Sequence, residues 1–347
     1  MPSLLDYSKT ELAEILSAYG QPNFRVKQLF SWLHKGVGFS GMTNMPKSLV
    51  ERLEADGYRA EGVKIIEKIV AKDKTTKYLY LLADGNVVEG VLMRYKYGNT
   101  LCVSTQVGCR MNCAFCASGI GGLVRNLTAG EILGQIVAVN RDEGGTLEKR
   151  AVTNVVLMGS GEPLDNYDNV TKFLRLLGDA DGINISERNV SLSSSGLAPK
   201  IKQLADDGFT VTMTLSLHAP TDEIRLKMMP VTKAYGIKED IDALHYYFEK
   251  TGRRVILEYA MVKGVNDSDD CAVKLAAICR GFPCHVNLIR LNKVKEKNLS
   301  CSDNCDRFLK KLESLGVSAT LRRSMGSDIE GACGQLRRRY IDERNSN

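Results

Sequence analysis

The 347-residue sequence predicts an α/β fold, a partial TIM-type (β/α) barrel with a small helical unit at its N-terminus and a short antiparallel β extension. Three observations carry that expectation. From residue 99 onward, short apolar runs alternate with amphipathic helical segments; between residues 61 and 98 the apolar period is two; before residue 60 it is that of a helix. The expected units are therefore residues 1–60, 61–98 and 99–347.

In the first unit, SKTELAEILSAYG places Leu12, Ile15 and Leu16 at helical spacing and ends at Gly20. FRVKQLFSWLHKG does the same with Phe24, Val26, Leu29, Phe30 and Leu33 before Gly36. Its mix of Arg25, Lys27, Trp32 and Lys35 suits contact with nucleic acid and suits a plain helical subdomain equally. In the second unit VKIIEKIVAKD, TKYLYLLAD and NVVEGVLMRYKYG alternate, and the turn signal Ala83-Asp84-Gly85-Asn86 separates two of them.

The third unit offers seven strand candidates: NTLCVSTQ, TNVVLMGSG, NVSLSSSG, VTMTLSLHA, RVILEYAMV, HVNLIRLN and SATLRRS. Helical segments lie between most of them, the first opened by Thr128 to Glu131 as a capping box. Continuous apolar strands joined by helices argue for a parallel sheet, and so many units in one domain favour a full or partial barrel.

With 44% hydrophobic and 25% charged residues, the composition is that of an ordinary globular protein with a substantial core. No apolar run approaches the roughly 18 residues that span a bilayer, and MPSLLDYSKTELAEIL lacks a signal-peptide layout. A cytoplasmic protein without membrane contact is expected. There, ten cysteines point to metal binding or reactivity more than to a disulfide framework. A net charge of +6, with Arg322, Arg323 and Arg337 to Arg339 clustered, permits a polyanionic partner without demanding one.

Cys109, Cys113 and Cys116 stand at C-x3-C-x2-C spacing, with Cys102 seven residues upstream. A structural zinc site wants four ligands and usually a second knuckle, which the sequence does not supply. Three thiolates can hold three irons of a cuboidal cluster and leave the fourth open to a small chelating molecule. A zinc knuckle completed from afar, and three unrelated thiols, are the competing readings.

In barrel folds of this kind the chemistry sits where strands end. Those ends carry the cysteine loop, Gly159 to Pro163, Ser193 to Gly196, Ser216 to His218, and Asn292. The Gly-Ser-Gly-Glu-Pro turn offers open backbone amides and a carboxylate able to grip an ammonium group. Ser193, Ser216, His218 and Asn292 offer groups for ribose or purine edges, although a lone strand-end Ser or His is more often structural.

These motifs together resemble the radical S-adenosylmethionine (radical SAM) superfamily, and within it the RlmN/Cfr family of RNA methyltransferases. The resemblance rests on LCVSTQVGCRMNCAFCAS, RNLTAGEI, VVLMGSGEPLDN, SLHAPTDEIR, EYAMVKGVND, CHVNLI and SDIEGACGQL, which span nearly the whole chain beyond residue 88. It is closer to the RlmN, adenosine-C2 branch: Pro163 stands where Cfr-like, C8-methylating chains tend to have alanine. The family usually has a second methionine at Ser160, and this chain departs from it there.

The resemblance implies roles position by position. Cys109, Cys113 and Cys116 match the ligands of a 4Fe-4S cluster. Gly161, Glu162, Ser193, Ser216, Leu217, His218 and Asn292 match SAM-binding positions, and Met158 a methionine kept near the site. Cys333 matches the cysteine that becomes S-methylated, Cys102 the second essential cysteine, and Glu89 a proton acceptor, for which a solvated strand carboxylate is the competing reading. The implied reaction uses two SAM molecules per turnover, one methylating Cys333 and one yielding a 5'-deoxyadenosyl radical. The implied partners are 23S rRNA, tRNA and an electron donor such as flavodoxin or ferredoxin; a monomer is the default. A non-catalytic iron-sulfur or zinc RNA-binding protein is the rival from another class. Cys271, Cys279, Cys284, Cys301 and Cys305 are covered by no such role.

Overall fold

The computed structural model describes residues 2–292, 294, 296–323, 325, 326, 328, 329 and 340. Three helices come first: α1 (Lys9–Ala18), α2 (Phe24–His34) and α3 (Lys47–Ala55). Helix α1 begins on a capping box, in which Ser8 Oγ accepts the Glu11 N–H at 3.3 Å and Glu11 accepts the Ser8 N–H at 2.7 Å. Leu12 and Leu16 on α1 and Val26, Leu29, Phe30 and Leu33 on α2 form the buried stripes, while Ile15 is half-buried and Phe24, at the start of α2, is 59% exposed.

Those stripes do not close on themselves. One apolar core runs from Leu4 and Leu53 through Leu133 and Phe173 to Leu192 and Leu288. Polar contacts fix the junction: the Gly130 N–H donates to Asp6 at 2.7 Å, and the Ile183 N–H donates to His34 Nδ1 at 3.1 Å. Burial pushes His34 down to about 4, which keeps its ring a neutral acceptor.

The strands β1 (Lys64–Val70), β2 (Thr76–Leu81), β3 (Val87–Tyr95) and β4 (Gly98–Cys102) form an antiparallel meander. A separate two-stranded sheet follows, β5 (Gln106–Gly108) with β6 (Leu123–Asn126), and the cysteine loop spans the gap between them. The sequence pattern does not predict this hairpin, because its strands are too short to show a period.

Beyond it come α4 (Ala129–Asp142), β7 (Asn154–Leu157), α5 (Tyr167–Leu177), β8 (Val190–Ser194), α6 (Ala198–Asp206) and β9 (Thr212–Ser216). The chain continues with α7 (Asp222–Met228), α8 (Ile237–Thr251), β10 (Val255–Met261), α9 (Asp269–Ile278), β11 (Cys284–Arg290), α10 (Cys305–Ser314) and β12 (Ala319–Leu321). Each of the seven strand candidates is a strand. Among the described residues the order is β1-β2-β3-β4-β7-β8-β9-β10-β11-β12, antiparallel to β4 and parallel after it. Within them β12 pairs only with β11 and β1 only with β2, so the barrel is partial, as expected. No helix among the described residues is long and apolar enough to cross a membrane.

Candidate active site

The segments after β7, β9 and β10 meet the cysteine loop, through Ser160 and Ser118, His218 and Phe115, and Val262 packed with Cys113 and Phe115. The loop is closed across its ends by the Cys109 N–H donating to Gly122 O at 3.0 Å and held at its middle by the Ala114 N–H donating to Met228 O at 2.8 Å. Burial pushes the Cys109 thiol up to about 12 and raises Cys113 further, and the nearby Cys116 and Glu162 act in the same direction. Thiols kept protonated by burial become thiolates only when a cationic centre enters among them. The three thiols lie close enough for each to bear on another's ionisation, and three thiolates that leave a fourth position open suit an iron-sulfur cluster better than a structural zinc, which wants four ligands.

Beside the loop lies the turn after β7. Gly161 sits at φ +107°, and a Cβ there would come within 2.6 Å of Gln106 Cβ. That close approach puts the Glu162 N–H on Gln106 Oε1 at 2.8 Å. The Glu162 carboxylate is buried and accepts the N–H groups of Ser195, at 2.7 Å, and Leu164, at 3.1 Å. Each oxygen retains capacity for a second donor, which an ammonium group would supply. Burial raises its pKa against those hydrogen bonds. Ser160, where the family usually has methionine, is buried and lies 3.4 Å from Ser118 of the cysteine loop, tying the turn to it.

Ser193 and Ser216 share a hydrogen bond of 3.2 Å across β8 and β9. Leu217 is fully buried, and its N–H donates to Glu258 O at 3.1 Å. His218 has a left-handed backbone, φ +55°, and its Nδ1 accepts the Ala260 N–H at 3.0 Å. Burial and the neighbouring Arg225 push its pKa to about 3, so the ring is neutral with its proton on Nε2. The edge of Phe115, from the cysteine loop, meets this ring at 4.8 Å.

A cavity of about 330 Å³ collects Cys102, Cys116, Met158, His218 and Asn292 in one wall system, joined by Glu258 and Arg322. Gly161, Glu162, Ser193, Ser216, Leu217, Cys109 and Cys113 stand outside that lining. Glu89 also stands outside it and is not a solvated strand carboxylate. It is 2% exposed and ion-paired at 2.9 Å with Lys77, which is fully buried. Alternation along β3 nevertheless puts it on the face of Val91, Met93 and Tyr95, which do line the cavity. Cys333 lies outside the described residues. Its described neighbours in sequence dock on the β extension: the Gly326 N–H donates to Asp73 at 3.0 Å, and Tyr340 packs with Leu79 and Val87.

Several residues that organise the site carry no motif of their own. Arg225 and Asp240, both fully buried, pair at 3.0 Å, and Arg225 also donates to Ser195 O at 2.6 Å and Leu217 O at 3.1 Å. Asn266 donates to His218 O and Ala260 O, each at 2.7 Å. Arg322 reaches Glu258 at 2.9 Å. The available signal was their position: Arg225 and Asn266 lie inside the conspicuous stretches SLHAPTDEIR and EYAMVKGVND.

Comparison with known proteins agrees along the whole chain. Residues 103–275 match the radical SAM superfamily model, and residues 3–57 match the N-terminal domain of ribosomal RNA large subunit methyltransferases. A "probable dual-specificity RNA methyltransferase RlmN" of Clostridium novyi (strain NT) is 47% identical, covering 98% of this chain and 99% of its own. A protein of the same description from Clostridium perfringens (strain 13 / Type A) is 48% identical, covering 98% of each chain. The crystal structure of a radical SAM methyltransferase from Sphaerobacter thermophilus superposes with a TM-score of 0.91 at 41% identity, covering 96% of this chain and 99% of that one. The chain belongs to the RlmN family of radical SAM RNA methyltransferases.

Proposed function

We propose that the protein methylates C2 of an adenosine in the peptidyl-transferase region of 23S rRNA and of the adenosine beside the anticodon in tRNA, acting as a monomer in the cytoplasm. The observation that carries the reading is the shared cavity, which gathers Cys102, Cys116, Met158, His218 and Asn292 although they are spread over 190 residues. Within this reading the segments 1–60, 61–98 and 99–347 act as RNA-contacting helical unit, β extension and catalytic barrel.

Cys109, Cys113 and Cys116 would hold the 4Fe-4S cluster, which, when bound and reduced by a flavodoxin or ferredoxin, would supply the electron for reductive cleavage of SAM. Glu162 receives the ammonium group of SAM, and Gly161 lets the backbone approach it. Ser193, Ser216, Leu217, His218 and Asn292 bind the remainder of SAM, and Met158 packs beside it. Adenine C2 is an electron-poor carbon bearing a non-acidic hydrogen, so direct displacement on the methyl of SAM fails. Cys333 would therefore take the methyl of one SAM, displacing S-adenosylhomocysteine, and would carry the carbon to C2 after that methyl gives up a hydrogen atom to the adenosyl fragment of a second SAM, which leaves as 5'-deoxyadenosine. Glu89 receives the C2 proton. The Cys102 thiolate would then attack the Cys333 sulfur and break its bond to the transferred carbon, which takes up a proton to become the product methyl; with the unpaired electron returned to the cluster, this leaves a disulfide of the transient type a reducing compartment allows.

Mass spectrometry of RNA treated with the reconstituted enzyme, SAM and a reductant tests the reading. It expects 2-methyladenosine together with 5'-deoxyadenosine. 8-Methyladenosine as the main product would transfer the protein to Cfr-like chemistry. A fully loaded cluster that never cleaves SAM would support a non-catalytic RNA-binding protein instead.

A further inference from the structure

Next to the cavity holding Cys102 lies a second hollow of about 620 Å³, and the two share Tyr95, Met158, Arg322 and Arg323 in their walls. A nucleic-acid chain with one base in the first cavity would bring the neighbouring nucleotide toward the second. The rim of that hollow is made by the hairpin joining β3 to β4. Tyr95 ends β3 and Tyr97 is the second residue of the two-residue turn before β4. Their rings are stacked, 5.0 Å between centroids and 6° between planes. Tyr97 is 74% exposed. Gly98 makes this possible: it has φ +138° and packs so closely on Thr153 that a Cβ would come within 2.3 Å of its Oγ1.

A parallel pair of phenol rings with the outer one facing water is a platform for a flat ligand, since every nucleobase has a π-face to lay on it. The groups around it complete a nucleotide's requirements. Arg188 lines the hollow and has no carboxylate partner among the described residues, which suits a phosphate. Asn154, Asn189 and Asn287 line it too and offer amide edges to a base.

We propose that this hollow is a subsite for the nucleotide flanking the target adenosine, its base stacked on Tyr97 and its phosphate held by Arg188. The proposal rests on the RNA-methyltransferase reading and adds to it a site for the neighbouring base. It makes Tyr97 and Arg188 binding residues distinct from the SAM and cysteine machinery.

The test compares the reconstituted holoenzyme with Tyr97→Ala, Tyr97→Phe and Arg188→Ala, using a fluorescent anticodon stem-loop RNA and a 23S rRNA hairpin as probes. Loss of one base stack is worth about tenfold in affinity. Tyr97→Ala is expected to weaken RNA binding by about that factor and to raise KM for RNA more than it lowers kcat, while Tyr97→Phe restores both. Arg188→Ala is expected to make the slope of log K against log salt shallower by about 0.7, the value of one single-strand phosphate. RNA binding unchanged in Tyr97→Ala, or Tyr97→Phe as impaired as Tyr97→Ala, overturns the subsite while wild-type methylation continues. A wild-type holoenzyme that binds neither RNA overturns the parent reading as well, and the two failures are thereby told apart.

Discussion

The backbone N–H of Ala260 donates to Nδ1 of His218 across 3.0 Å, and this one bond decides which nitrogen of the imidazole carries the proton. With Nδ1 an acceptor, Nε2 is a donor in a ring that lines the cavity. Asn266 clamps the carbonyl of the same residue, so tautomer and position are set together.

His218 and His34 should each take stability away as the solution becomes acidic, because both are buried neutral. Their folded pKa values, about 3 and about 4, lie below the ordinary value of 6.5. Above pH 6.5 neither state binds these protons. Between 6.5 and the folded values only the unfolded chain does, so stability is lost as pH falls through that window, by roughly 3 to 5 kcal/mol per histidine at its lower end. Burial pushes Asp240 up to about 7, which acts in the opposite direction over the same window, so the test is a comparison: urea denaturation at pH 7, 5.5 and 4.5 should show His34→Gln losing less stability on acidification than the wild type. The same pH dependence in both proteins would contradict the burial argument.

Asp240→Ala leaves the fully buried Arg225 guanidinium without the carboxylate 3.0 Å away. Breaking a buried pair from one side costs about 3 to 5 kcal/mol. Arg225 also bonds Ser195 O and Leu217 O, so the loops after β8 and β9 should loosen with it. Calorimetry should register the lost stability, and isothermal titration should register weaker SAM binding in whatever fraction stays folded.

Gly161→Ala should be more harmful than its size suggests. The position has φ +107°, where an L side chain is strained, and the new methyl would meet Gln106 at 2.6 Å. Either the turn or Gln106 must move, and with it the Glu162 N–H bonded to Gln106. SAM affinity is expected to drop by at least tenfold with cluster content unchanged, read by titration and by iron analysis. Equal affinity would remove Glu162 and its turn from the SAM site.

Cys102 and Cys333 should fail differently. On the proposed route Cys333→Ala removes the group that would take the methyl, so no modified RNA is expected. Cys102→Ala removes the thiol that would release product, so RNA is expected to accumulate in covalent linkage to the protein, visible as a protease-sensitive shift on a denaturing gel. Free methylated RNA at the wild-type rate from either variant would exclude the two-cysteine route.

Much of the fold is legible in the sequence because its signals are local. Each of the seven strand candidates from residue 99 onward is found, since a buried parallel strand needs a continuous apolar run and each helix needs a stripe. The thiol triad is legible for the same reason, being eight residues long. What is not legible is pairing across distance. Nothing near Asp240 announces Arg225, nothing near Glu258 announces Arg322, and the β5–β6 hairpin is set by tertiary bonds such as Cys109 N–H to Gly122 O. Glu89 is the sharpest instance: it reads as a strand carboxylate, and only register against β2 brings Lys77 to it.

That pairing separates two roles for Glu89. As a proton acceptor it must be ionised and near the substrate; as half of a buried ion pair it must offset the charge of Lys77, which is fully buried 2.9 Å away. Glu89→Gln keeps shape and removes charge, so it is expected to destabilise the fold by about 3 to 5 kcal/mol. It confounds both roles by itself. Pairing it with Lys77→Met removes the opposing charge and should recover most of the lost stability, since a buried ion pair replaced by apolar and neutral groups is often near neutral. If Glu89 accepts the proton, the double variant is folded and cleaves SAM yet forms product at least a hundredfold more slowly. If its role is the ion pair alone, methylation returns with stability. The ratio of 5'-deoxyadenosine to methyladenosine in the double variant, measured beside its denaturation midpoint, decides between them.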